Sequence, residues 1–101
     1  MIMHHLIIDG MLSGTGVRDG TAGGYLDLKN VGLSADLTKR IASWLVAYES
    51  AHYRQFGDKA ENDRLDQEGI AIARRIREEL PDNMVEYFSN AQMRKLPFDL
   101  S

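Results

Sequence analysis

The apolar positions of this chain change period several times, and each change marks an element. Leu6, Ile7 and Ile8 form a run with strand propensity, and a period of two sets His4, Leu6 and Ile8 on one face. Asp9-Gly10 has turn chemistry but Met11-Leu12 follows it, so one strand is expected across Met3–Leu12, resuming or bulging after the glycine. Tyr25, Leu26, Asp27 and Leu28 alternate as a second short strand, most economically antiparallel to the first. From Ala35 the spacing becomes three and four. Leu37, Ile41, Trp44, Leu45, Tyr48 and His52 line the buried stripe of a helix reaching about Arg54. Ser34 is suited to its N-cap and Asp36 to its dipole, and Gly57 to a left-handed stop. Asp58 and Glu61 have capping-box spacing and open a second helix from Lys59 to about Leu80, where Pro81 ends it. Its apolar face is Leu65, Gly69, Ile72, Ala73, Ile76 and Leu80, and the small Gly69 and Ala73 invite close approach of the first helix. Met84–Ser89 returns to period two, with Val85 and Tyr87 on one face and Met84, Glu86 and Phe88 on the other. Large apolar groups on both faces suit a central strand, or one whose second face meets a partner.

From the later part of the first strand to the start of the second, Gly10, Gly14, Gly16, Gly20, Gly23 and Gly24 supply six of the nine glycines in the chain. Fixing glycine costs backbone entropy, so residues 13–24 are expected as a flexible loop. Residues 90–101 have no clear period and are expected as an irregular tail. The order is then strand, strand, helix, helix, strand in a single domain over 1–101. The fold class is α+β: a two-layer sandwich of a small antiparallel sheet with two helices packed on one face.

Composition narrows the chemistry. Charged residues make up 27% of the 101 positions and hydrophobic residues 44%, the balance of a globular chain. The absence of cysteine excludes disulfides, thiolate nucleophiles and cysteine-held metals. No apolar run reaches the length of a membrane span and no basic-then-apolar leader opens the chain, so a cytoplasmic protein is expected. The net charge of −3 argues against a nucleic-acid coat. Arg74, Arg75, Arg77, Arg94 and Lys95 are interleaved with Glu78, Glu79, Asp82 and Glu86, which denies phosphates an uncompensated basic face. His4 and His5 are neighbours and point apart on a strand, so they make a poor metal pair. Pairing either one with Asp9 is the weak enzymatic alternative. Gly14-Thr15-Gly16 lacks both the dinucleotide and the P-loop pattern. No catalytic residue, cofactor or metal is expected.

The runs Gly24-Tyr-Leu-Asp-Leu and Gly32-Leu-Ser-Ala-Asp-Leu, then Trp44, Tyr48 and Phe56, resemble a class of small bacterial proteins. So do the helix from Asp66-Gln-Glu-Gly to Leu80 and the strand Val85-Glu-Tyr-Phe. Some of that class are immunity proteins of toxin–immunity loci. The resemblance implies a non-enzymatic module that binds and occludes a cognate toxin. Acids crowd the start of the second helix, and although the helix dipole explains much of that, they suit a cationic partner such as a nuclease. The candidate contacts are Asp27, Glu61, Asp63 and Asp66, with Tyr25, Tyr87 and Phe88 as aromatic anchors. The alternative is a homodimeric structural or regulatory protein that pairs through Met84–Ser89 or swaps its tail.

Overall fold

The computed structural model describes residues 5–12 and 14–98. Its elements are β1 (His5–Asp9), β2 (Val17–Asp19), α1 (Leu28–Val31), α2 (Ala35–Tyr53), α3 (Lys59–Glu79), β3 (Met84–Ser89) and β4 (Arg94–Leu96). The strands form one sheet in the order β2-β1-β3-β4. The α+β class holds, but the sheet is mixed rather than antiparallel. β1 is antiparallel to β2 and parallel to β3, while β3 is antiparallel to β4. The two long helices make the difference: together they form a crossover that returns the chain to β1 in the same direction.

Three local expectations are corrected. The glycine-rich 13–24 stretch contains β2, because Val17 and Arg18 pair with Ile8 and Ile7. Tyr25–Leu28 is not a strand: Tyr25 makes one isolated bridge to Arg18, and Asp27 accepts a hydrogen bond from the Lys29 amide to cap α1. The tail contains β4, which pairs Leu96 with Tyr87 and Arg94 with Ser89. Met3 and His4 lie outside the described residues, and Met11-Leu12 falls after the end of β1.

The helices begin where their caps put them. Asp58 Oδ1 accepts from the Glu61 amide, and Ser34 Oγ accepts from the Leu37 amide at 3.2 Å. Ser34 has a second task. Its amide and hydroxyl both donate to the Glu79 carboxylate at 2.7 Å, tying the start of α2 to the end of α3. Those bonds hold the Glu79 carboxyl below the usual carboxylate range. Ser34→Ala removes the cap and one clasp together, so it is expected to lower unfolding free energy by about 1–2 kcal/mol in urea titration.

α2 and α3 are thus antiparallel neighbours. Trp44 Nε1 donates to the Leu65 carbonyl at 2.9 Å, and Arg40 forks onto Glu68 at 2.7 and 2.8 Å. α3 lies on β1 and β3. Leu6, Ile8, Val85 and Tyr87 fill the covered face of the sheet. Gly69 serves this contact and not the helix–helix one, since a Cβ there would strike the Tyr87 ring. The opposite face carries His5, Ile7, Arg18, Met84, Glu86, Phe88 and Lys95 in register.

Candidate functional site

β1, β3 and α2 all end, and α3 begins, at one end of the molecule. Three connections meet there: residues 10–16, 54–58 and 90–93. A buried chain of hydrogen bonds fixes two of them. Asp66, on the second turn of α3, accepts from Tyr87 Oη at 2.7 Å, Ser89 Oγ at 3.0 Å and Gln92 Nε2 at 3.2 Å. The Asn90 amide donates to Tyr48 Oη at 2.8 Å, and Asn90 Nδ2 donates to Asp9 Oδ1 at 2.8 Å. Asp9 also accepts from the Met11 amide at 3.0 Å. Gly10 has no side chain because a Cβ there would lie 2.6 Å from the Tyr48 ring. Burial above all pushes the Tyr48 and Tyr87 hydroxyls above their ordinary pKa, which keeps both protonated.

The backbone of this end is shaped further. Gln55, Phe56 and Met93 have φ near +55°, the left-handed region that side chains other than glycine seldom adopt. Gly57, expected to fill that role, is not among them. Packing holds the α2–α3 turn instead. Phe56 meets His52 at 4.7 Å and Tyr48 at 5.7 Å edge-on, and its carbonyl accepts from Asn62 Nδ2 at 2.8 Å. His52 is therefore half-buried among rings, as its place on the apolar stripe implied. The side chains left over are apolar and exposed: Met11 at 42%, Tyr53 at 74% and Met93 at 71%, with Leu12 beside them.

Asp9 links this end to the sheet face opposite the helices. Its Oδ2 lies 3.3 Å from Arg18 Nε, and the Arg18 guanidinium stands 5.7 Å from the centre of the Phe88 ring. Tyr25 is bonded to the same carboxylate. Burial first, and then the Asp9 charge, push its hydroxyl up to about 12. Farther along that face, Glu86 bonds His5 and accepts from Lys95 Nζ at 3.1 Å. Burial alone would raise the Glu86 carboxyl, but these two partners outweigh it and hold the group low.

The seven candidate contacts are therefore divided. Asp66 and Tyr87 are buried and bonded to each other, so neither side chain faces solvent. Tyr25 and Phe88 are half-buried beside Arg18, on the sheet face opposite the helices. Glu61 and Asp63 sit at the start of α3, where Glu61 pairs with Arg54 and Asp63 with Lys59 at 3.1 Å. Asp27 follows Leu26, whose carbonyl accepts from Thr15 Oγ1 of the 10–16 connection at 2.5 Å. It caps α1, and Val31 of α1 shares a cleft with Leu80 and Asn83 beyond the far end of α3. Glu61 and Leu80 are roughly 28 Å apart along the helix axis. His5 is committed to Glu86 and not to Asp9, and no cluster of three or more metal-binding side chains occurs among the described residues. Met11, Leu12, Arg18 and Met93 were not among the candidates. Met11-Leu12, an apolar pair stranded after Asp9-Gly10, was the one available signal.

A family model described as Serratia CdiI immunity protein-like matches residues 12–90, more than three-quarters of the chain. The chain belongs to this immunity protein-like family. The match runs from Leu12, within the β1–β2 connection, through Asn90, so it takes in β2, all three helices and β3. It supports the role of an immunity protein, in agreement with the resemblance carried by Trp44, Tyr48 and the Asp66–Leu80 run. No curated protein and no solved structure matches the chain. Among the described residues, no helix is long and apolar enough to cross a membrane.

Proposed function

We propose that this immunity protein acts in the cytoplasm, without catalysis of its own, by seating its loop end on a cognate toxin and covering the toxin's active site. The observation behind this reading is the convergence at one end of exposed Met11, Leu12 and Met93 on backbone fixed by the buried Asp66–Tyr48–Asp9 hydrogen bonds. Backbone fixed before contact loses little freedom on binding, which favours affinity. Methionine also adapts its shape to a partner surface. Glu61 and Asp63 flank this patch at the start of α3. Carboxylates there would meet the cationic groups that a nuclease-like toxin directs at phosphates.

The test takes the products of the genes flanking this one and asks whether one of them is a toxin domain. The purified chain should bind it and abolish its activity at equal stoichiometry. Asp63→Lys and Met93→Asp should each weaken binding about tenfold or more. Asp82→Lys, an exposed position past the far end of α3, should leave binding within about twofold. Equal losses at both ends, or no binding by the unaltered chain, would overturn the reading.

A further inference from the structure

We infer that Arg18 is the anchor for a carboxylate carried by the toxin, a contact of opposite sign to the acidic flank at Glu61 and Asp63. This rests on the reading that a toxin docks on this chain, and it specifies what the sheet face opposite the helices receives beside the loop end.

The argument counts donors and acceptors on that face. Its two acids are already occupied. Asp9 takes hydrogen bonds from Asn90 Nδ2, the Met11 amide and Tyr25, and the ion pair with Arg18 besides. Glu86 is held by His5 and Lys95. What remains open is donor capacity. Arg18 Nε is within ion-pairing distance of Asp9 but not aligned for a hydrogen bond, and among the described residues no acceptor takes a hydrogen bond from its two amino groups. The side chain is one-third exposed. The Phe88 ring beneath the guanidinium steadies it by cation–π attraction without using a donor. An arginine so held has lost most of its freedom before binding, and its planar fork matches both oxygens of a carboxylate. A nucleic-acid phosphate could use the same fork. Asp9 and Glu86 argue against it, since a polyanion laid across this face would meet two carboxylates for one open cation. Half-buried Tyr25 and Phe88 give the site the aromatic surround common at protein hot spots.

The experiment measures the affinity of the same toxin domain for the unaltered chain and for Arg18→Lys, which keeps the charge and loses the fork. Arg18→Lys should weaken binding about tenfold or more while Asp63→Lys retains its separate effect. In parallel, each acid of the toxin domain is neutralised to its amide and titrated against the unaltered chain, an arm that needs no variant of this protein to fold. One acid should cost a similar factor against the unaltered chain and less than about twofold against Arg18→Lys. A bound toxin with no acid coupled to Arg18, or with full affinity for Arg18→Lys, overturns this inference and leaves the docking reading intact. Arg18-dependent binding of a labelled RNA oligonucleotide overturns it in favour of phosphate. No binding by the unaltered chain defeats the docking reading itself.

Discussion

Asp66→Ala is expected to cost about 3–4 kcal/mol of stability, although the residue it removes is a carboxylate on a helix. Asp66 is 4% exposed and accepts from three donors, two of them the hydroxyls of the fully buried Tyr87 and Ser89. Alanine strands both hydroxyls away from water, and each stranded group costs about 1–3 kcal/mol. Asp66→Asn keeps one acceptor oxygen and the side-chain volume, so it should recover at least half of the loss. Chemical denaturation of the two variants measures the difference. If alanine and asparagine are equally mild, at under about 1 kcal/mol, the carboxylate does not hold β3 to α3. The turn that carries Met93 hangs on the same group through Gln92 and Ser89. Asp66→Asn should therefore also weaken toxin binding at a temperature where the protein is fully folded.

How much of this could be read from the sequence depends on how local the cause was. α2 and α3 were legible because a period and a cap lie within one stretch of chain: Ser34 before Leu37 and Ile41, Asp58 before Leu65 and Gly69. β3 was legible from its alternation. β2 and β4 were not, because three residues are too few to show a period, and each exists through partners far along the chain, Val17 on Ile8 and Leu96 on Tyr87. The parallel pairing of β1 with β3 is likewise a consequence of how two helices return the chain. The loop end shows the same division. Glu61 and Asp63 are recognisable as helix-start acids, whereas charge groups Asp66 with them and helical spacing tells against it. Residues 66, 69, 73 and 76 share one face, and Gly69, Ala73 and Ile76 are buried. Tyr87 lay on the Val85 face and belonged to the core by the same arithmetic. Asp9, Arg18 and Asn90 come together only in the folded sheet, and nothing in their local sequence announces it.

Gly69 provides the sharpest test of that packing. On helix propensity alone, Gly69→Ala should stabilise α3 by about 1 kcal/mol. The structure sets the opposite sign. The added methyl would overlap the Tyr87 ring, and the ring has nowhere to go. Tyr87 is fully buried, its hydroxyl is committed to Asp66, and its other side meets Trp44 at 6.1 Å between ring centres. Overpacking against a pinned ring costs more than the propensity gain, so Gly69→Ala is expected to destabilise the protein by about 3 kcal/mol net. Gly69→Val, with a second methyl and a stiffer side chain, should be worse still. The ring is identified as the cause by a double-mutant cycle. Tyr87→Leu alone should destabilise through lost volume and an orphaned Asp66, but in that background Gly69→Ala should turn neutral or stabilising as the helix preference reasserts itself. Urea unfolding of the four proteins gives the coupling directly. A Gly69→Ala variant as stable as the parent would mean that α3 stands farther from β3 than described. The earlier explanation, a glycine kept small for the neighbouring helix α2, would then return.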